Sequence, residues 1–123
     1  NAKERAMSSE LQATIEAMLR PGCGLLAADE SAPTIAKRFK AVGVESTEEA
    51  RRAYRSLLLA TPGLGDHISG VILFEETLGQ KADDGTPLAQ VAAKQGIVPG
   101  IKVDKGLAVL DNGKEENWTK GLE

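Results

Sequence analysis

The stretch at residues 24–39 constrains the fold more than any other part of the chain. Its apolar run at 25–28 ends on two carboxylates, Asp29 and Glu30. Ser31 follows as a candidate helix N-cap, and a proline stands in the first helical turn, where its missing N–H costs nothing. The sequence therefore predicts a strand at 25–29, a tight polar turn and a helix at 32–42. In α/β proteins, chemistry is usually placed at such a strand end.

Two further apolar runs, at 70–75 and 97–104, predict strands. The run at 71–74 does not alternate with polar residues, which is typical of a parallel strand covered on both faces. Capping patterns predict that three further helices begin at Ser9, Ser46 and Thr86. We expect residues 1–8 to be frayed. The tail from Gly106, rich in turn residues at 111–117, is expected to form a long loop.

Strands that alternate with helices predict parallel β/α units. Three parallel strands alone leave bare edges and an uncovered face, which a soluble protein should not tolerate. A (β/α)8 barrel needs about 250 residues. We therefore expect an α/β fold that is the N-terminal part of a TIM (β/α)8 barrel, with residues 1–123 as the N-terminal portion of a single barrel domain and the rest of the barrel absent.

Composition limits the partners of the protein. A net charge of −3 argues against nucleic acid, so any anion-binding site must be local. The single cysteine, Cys23, cannot form an internal disulfide, which fits a reducing compartment. The N-terminus is too charged for a signal peptide, and no apolar run approaches membrane-spanning length. We expect a soluble, cytoplasmic protein with no nucleic-acid or membrane partner.

The strand ends carry the candidate residues for chemistry. Asp29, Lys102 and Asp104 all lie at or near the carboxyl ends of predicted strands, where active sites of parallel α/β folds are found. Lys102 is the most informative, because a charge inside a parallel strand is costly to bury unless it is paired or faces a polar opening. It could be part of an ion pair that serves only packing. Alternatively, it could contact an anionic substrate group, tune a carboxylate or act as an amine nucleophile.

Hydroxyls and charges surround the predicted helix N-terminus. Ser31 and Thr34 flank it, and such a terminus favours phosphate, although plain N-capping by Ser31 explains the serine equally well. Taken alone, Arg38 is interpreted as part of a solvated helix face and Glu30 as a solvated turn charge. Glu76 either lines the same rim or is solvated. No metal-ligand spacing and no nucleotide-binding motif is present, so we expect no metal and no cofactor.

Three motifs carry a resemblance to a known family. GLLAADESAPTIAKR at 24–38, GVILFEETL at 70–78 and VPGIKVDKG at 98–106 resemble the successive strand motifs of the class I (Schiff-base) fructose-bisphosphate aldolases. The helical segment at 48–55 is similar as well, so that the resemblance covers nearly the whole chain beyond about residue 9. Three motifs in the right order and at the right spacing make the resemblance highly specific.

The resemblance implies an activity and a set of site residues. The family cleaves fructose 1,6-bisphosphate to dihydroxyacetone phosphate and glyceraldehyde 3-phosphate through a lysine imine, without metal, in glycolysis and gluconeogenesis. By motif, Asp29 corresponds to a catalytic carboxylate. Lys102, Ser31 and Thr34 correspond to residues that contact substrate phosphate, and Arg38 corresponds to a basic residue near the site. A phosphorylated sugar is the implied partner, and a homo-oligomer, a tetramer in the family, is expected by analogy.

One departure and one gap accompany the resemblance. Many relatives have Thr-Gly where this chain has Ala32-Pro33, and the proline removes an N–H that could touch phosphate. In the family the imine-forming lysine lies beyond position 123, so residues 1–123 alone are expected to be inactive. Two alternatives stay open: another phosphosugar-binding TIM-barrel enzyme, and an aldolase-like interaction module without catalysis.

Overall fold

A computed structural model describes residues 2–109 and 117–122. Its main sheet has three parallel strands in the order β1-β2-β3. They are β1 (Gly24–Ala28), β2 (Ile68–Leu73) and β3 (Val98–Ile101). The expected fold class, an α/β fold with parallel strands that is consistent with part of a barrel, is confirmed.

Five α-helices and one short 3-10 helix, Leu64–Asp66, accompany the strands in the described residues. The α-helices are named in chain order. They are α1 (Ala2–Met18), α2 (Ala32–Ala41), α3 (Glu48–Leu59), α4 (Glu75–Leu78) and α5 (Leu88–Lys94). The two longer connections, between β1 and β2 and between β2 and β3, contain helices, as parallel pairing requires. None of the helices in the described residues is long and apolar enough to cross a bilayer.

The core lies between one face of the sheet and the helices. Val71 and Leu73 of β2 point into it because alternate residues of a strand face the same side. They pack in one buried cluster with Ala28, Leu59, Leu88, Ala92 and Ile97. The opposite face is open: Ile72 keeps 37% and Leu25 keeps 54% of its surface exposed. The three strands therefore have one covered face and one largely exposed face within the described residues, and on the latter the end of α1 approaches the sheet at Gly70.

Several helix starts differ from the expectation. Residues 2–8, expected to be frayed, belong to α1, and the Ser9 hydroxyl donates to the Ala6 carbonyl within that helix and does not cap it. Thr47, one residue after Ser46, caps α3 by accepting from the Ala50 N–H at 3.1 Å. Pro87 takes the cap position of α5, which was predicted for Thr86. Each proposed capping pattern lies near a helix, but the residue that caps depends on local backbone geometry.

The buried side of α3 also differs from the expectation. The spacing of apolar residues at 50, 53, 54, 57 and 58 predicts that they share the buried face of α3, yet Leu57 is 73% exposed. The buried residues are Arg55 and Leu59, both at 0% exposure. Tyr54 meets Phe39 of α2 edge-to-face, with ring centroids 5.7 Å apart. Because one of the two buried residues of α3 is an arginine, the positions of the apolar residues alone do not show which face of the helix is buried.

The carboxyl ends of the three strands and the structure of the tail also differ from the expectation. All three strands end before the charged residues that were included in them, since β1 stops at Ala28, β2 at Leu73 and β3 at Ile101. The tail was expected to be a loop, but β4 (Leu107–Val109) and β5 (Asn117–Thr119) pair antiparallel. The turns expected at 111–116 lie outside the described residues.

Candidate active site

Charged side chains gather at the carboxyl end of the parallel sheet. Asp29 directly follows β1, Glu75 follows β2 after one residue, and Lys102 directly follows β3. Parallel pairing brings these ends to one edge, and the Lys102 N–H donates to the Leu73 carbonyl at 2.9 Å, which extends the ladder by one bond. Asp29 and Lys102 thus lie at the same end of the sheet, as predicted, with Lys102 directly beyond its strand and not inside it.

Lys102 lies between two carboxylates. Its Nζ donates to Asp104 Oδ1 at 2.5 Å and lies 3.9 Å from Asp29 Oδ2. The hydrogen bond to Asp104, together with the negative charges of Asp104 and Asp29, raises the pKa of Lys102, and the same bond lowers the pKa of Asp104. The side chain of Lys102 is 26% exposed, so it is only partly withdrawn from solvent. As a protonated cation it is suited to binding anions and is not suited to nucleophilic attack.

A cleft of about 480 Å³ opens beside this group. Ser31 lines one part of it, Phe74 and Glu75 line another, and residues 102–106 line the rest. The cleft joins segments that follow all three strands, the place where parallel α/β folds bind ligands. Its size suits a small metabolite.

The start of α2 offers hydroxyls to this end of the sheet. Ser31 occupies the predicted N-cap position, but its side chain makes no capping hydrogen bond. Its Oγ lies 3.2 Å from Thr34 Oγ1, while the Thr34 and Ile35 N–H groups bond to the Ser31 carbonyl at 3.0 Å. Pro33 lies in the first turn as predicted. The Ser31 hydroxyl is therefore not committed to the helix.

Arg38 and Glu30 form an ion pair behind the start of α2. Arg38 Nη1 lies 2.6 Å from Glu30 Oε1, and the Arg38 side chain remains 62% exposed. The Glu30 side chain is only 7% exposed, so its interpretation as a solvated turn charge is wrong. Arg38 thus lies near the strand end, although it is not among the cleft-lining residues.

Sequence reasoning missed a buried arginine beneath the site. Arg55 Nη2 donates to the Glu30 carbonyl at 2.6 Å, and its Nη1 lies 3.6 Å from Glu76 Oε2. The guanidinium carbon also lies 5.7 Å from the centroid of the Phe74 ring. The available signal was spacing, because Arg51, Arg55 and Leu59 recur every four residues on α3.

Arg51 extends this network to the end of β2. It holds Glu76 through two bonds, Nε to Oε2 at 2.9 Å and Nη2 to Oε1 at 2.7 Å. These bonds lower the pKa of Glu76 and raise the pKa of Arg51. Neither interpretation of Glu76 matches the structure, because its side chain is only 22% exposed, is paired with Arg51 and is not among the cleft-lining residues. Within residues 2–109 and 117–122, no group of His, Cys, Asp and Glu side chains could hold a metal ion.

Comparison with known proteins identifies a family that nearly the whole chain matches. Residues 10–123 match the family described as fructose-bisphosphate aldolase class-I. A fructose-bisphosphate aldolase of Drosophila melanogaster is 52% identical over 124 aligned positions, which cover 100% of this chain and 34% of that protein. A probable fructose-bisphosphate aldolase class 1 of Xanthomonas campestris is 57% identical, with 93% of this chain and 34% of that protein covered.

A solved structure is similar over nearly the same length. Fructose-bisphosphate aldolase from Plasmodium falciparum, in a ternary complex with TRAP and a small-molecule inhibitor, superimposes with a TM-score of 0.87 at 50% identity. The match covers 92% of this chain and 33% of that one. The chain spans about a third of the length of the curated relatives it matches.

Proposed function

The chain belongs to the class I fructose-bisphosphate aldolases, and we propose that the protein containing it cleaves fructose 1,6-bisphosphate reversibly to dihydroxyacetone phosphate and glyceraldehyde 3-phosphate. The observation that carries this proposal is the meeting of Lys102 with Asp29 beside a cleft at the carboxyl ends of parallel strands. In such folds this is where substrates bind. Relatives at 52% and 57% identity that are named aldolases support the same activity.

The residues divide into two roles. Asp29 carries a partly exposed carboxylate that can accept and return a proton while the carbon–carbon bond breaks and forms. Lys102 offers a protonated amine, and Ser31 and Thr34 offer hydroxyls at a helix N-terminus, a combination suited to substrate phosphate. We assign Arg38 a supporting part in the same positive region, since its guanidinium is largely exposed beside Glu30.

The imine itself needs a lysine from another part of the protein. By family resemblance, that lysine forms a Schiff base with the substrate carbonyl, and water leaves. The positive charge of the imine then draws electrons from the carbon–carbon bond as it breaks. We therefore propose that residues 1–123 form the N-terminal portion of one barrel domain and are inactive alone. The largely exposed sheet face and the unpaired outer edges of β1 and β3 within the described residues support this proposal.

We propose further that the complete protein acts in the cytoplasm as a homo-oligomer. A tetramer is the form that family analogy favours. The proposed partner is a phosphorylated sugar, without metal, cofactor, nucleic acid or membrane. The net charge of −3 on this chain supports a local anion site and not a broad basic surface.

Trapping of the imine tests the activity directly. The complete protein is incubated with dihydroxyacetone phosphate, reduced with borohydride and weighed as an intact chain. We expect a mass increase of one reduced triose-phosphate adduct, and turnover that a metal chelator does not lower. No adduct, or turnover lost with chelator, would contradict the Schiff-base proposal.

A further inference from the structure

Arg55 is a fully buried cation whose hydrogen bonds converge on one residue. Its side chain is 0% exposed, and Nη2 donates to the Glu30 carbonyl at 2.6 Å and reaches Glu30 Oε2 at 3.5 Å. Within the described part of the chain, Nε and Nη1 of Arg55 have no hydrogen-bond partner. A buried charge is costly unless it is paired, and Arg55 is paired with the carboxylates of Glu30 at 3.5 Å and Glu76 at 3.6 Å. Its one short hydrogen bond, however, goes to the backbone carbonyl of Glu30.

The bond from Arg55 fixes a particular peptide plane. The Glu30 carbonyl belongs to the peptide that joins Glu30 to Ser31, and the described residues contain no cis peptide. In a trans peptide the carbonyl and the N–H point in opposite directions. Because the carbonyl points to the guanidinium, the N–H of Ser31 points away from it. Arg55 therefore sets the orientation of the backbone at the first residue of the cleft wall.

Ser31 is left available for a ligand. Among the described residues its N–H has no partner, and its hydroxyl makes no helix cap and is hydrogen-bonded to the Thr34 hydroxyl alone, at 3.2 Å. Ser31 also lines the cleft that contains Lys102. A donor N–H and a hydroxyl at a helix N-terminus form an anion-binding arrangement, provided that both keep their direction.

Arg55 also contacts a second segment that lines the cleft. Its guanidinium lies over the Phe74 ring and near Glu76, and Phe74 lines the same cleft as Ser31. One rigid planar group thus fixes the segments that follow β1 and β2 relative to each other.

From these contacts we infer that Arg55 is a positioning residue for phosphate recognition, which holds the Glu30–Ser31 peptide so that Ser31 presents its donors to the cleft. The inference rests on the proposed function, because it takes the phosphate of the sugar substrate as the ligand. Arg55 itself does not touch the substrate. Its effect should appear in substrate binding more than in the chemical step, since Asp29 precedes the fixed peptide.

The test compares three variants of the complete protein. Arg55→Met keeps the apolar stem and removes the donors, so we expect the KM for fructose 1,6-bisphosphate to rise about tenfold or more, with inhibition by inorganic phosphate weakened in parallel. We expect kcat to change less than about threefold. Arg55→Lys keeps one donor for the Glu30 carbonyl, and an intermediate rise in KM is expected.

Arg51→Met is the matched control. Arg51 lies one turn earlier on α3 and binds Glu76, but its hydrogen bonds go to Glu76 and Ser46 and not to Glu30. The KM of the Arg51→Met variant for fructose 1,6-bisphosphate should stay near that of the wild type, even if the melting temperature of the variant falls. A wild-type protein without aldol cleavage would contradict the proposed function, not this inference.

Three outcomes overturn the inference while the wild type remains active. The first is wild-type KM and phosphate inhibition in folded Arg55 variants. The second is an equal rise in KM for Arg51→Met, which would indicate a general effect of the network. The third is a failure of both Arg55 variants to fold, which would assign Arg55 to stability alone.

Discussion

Lys102 Nζ lies 3.9 Å from Asp29 Oδ2, although the strands that lead to these two residues are not neighbours in the sheet. The middle strand, β2, ends between them. The distance allows Coulombic attraction but exceeds a hydrogen bond, while Asp104 takes the direct bond at 2.5 Å. Asp29 therefore keeps an oxygen close to a cation without being committed to it, which leaves its carboxylate available to a substrate.

Replacing Asp29 tests the catalytic assignment. In the complete protein, Asp29→Ala should lower kcat by roughly 10²- to 10⁴-fold, because a positioned acid–base group contributes about that much. The side chain is 26% exposed, so the melting temperature should change little. A coupled assay of triose-phosphate release, run beside circular dichroism, measures both. Retained turnover in a folded variant would remove Asp29 from the mechanism.

Replacing Lys102 should weaken substrate binding. Lys102→Met removes the cation at the cleft and should raise the KM for fructose 1,6-bisphosphate on the order of 10- to 100-fold, the range for a lost charge-assisted hydrogen bond. Lys40→Met serves as a control because Lys40 is exposed near the end of α2. Equal KM values for both variants would show that Lys102 does not contact phosphate.

Two hydroxyls at helix starts should behave differently. Thr47 caps α3 through the Ala50 N–H, so Thr47→Ala should lower the free energy of unfolding by about 1 kcal/mol. Ser31 makes no such bond, so Ser31→Ala should cost less stability and instead raise the KM for substrate. Urea titrations and steady-state kinetics of the two variants separate the roles. A larger loss of stability for Ser31→Ala would contradict the assignment.

The Lys102–Asp104 pair should make stability depend on pH. The folded pKa of Asp104 lies below its unfolded value of about 3.9, so its contribution is present above about pH 3.9 and is lost as pH falls through the folded pKa. The melting temperatures of wild type and Asp104→Asn should therefore differ near neutrality and converge in acid. A difference that persists unchanged at low pH would rule out this titration.

The ion pair between Glu76 and Arg51 should also make stability depend on pH, and Glu76 is less exposed than Asp104. The Glu76 carboxylate is 22% exposed and is held by two bonds from Arg51. Glu76→Gln should lower the free energy of unfolding by roughly 1 kcal/mol at neutral pH, with the difference fading below about pH 4.3 as the carboxylate protonates. Glu45→Gln is the exposed control, whose unfolding free energy should not change.

The three parallel strands and the longer helices could be predicted because each has a local signal, whereas the four-residue α4 was not predicted. The apolar run before Asp29 and the proline in the first turn of α2 identify a strand followed by a helix, and both are present. The strand ends were placed too late, because the alternation of apolar and charged residues continues in the sequence past Ile101 to Asp104. Local patterns do not report where pairing stops.

The site could be predicted in part. Asp29, Ser31 and Lys102 were expected at one end of the sheet because parallel strand ends must meet there, and the structure brings them together. Arg55 could not be predicted from hydrophobicity, because its burial depends on the Glu30 carbonyl, a backbone group that no sequence pattern displays. The short β4 and β5 were missed since three-residue strands contain too little alternation to recognise.

The largely exposed face of the sheet, with Leu25 and Ile72 on it, also has a practical use. A half-formed sheet with a hydrophobic face and open edges is a template for the piece that completes it. We therefore predict that residues 1–123 and the remainder of the proposed barrel, produced as separate polypeptides, bind each other and restore the proposed aldolase activity. The chain could serve as one half of a split reporter whose signal is the return of triose-phosphate production.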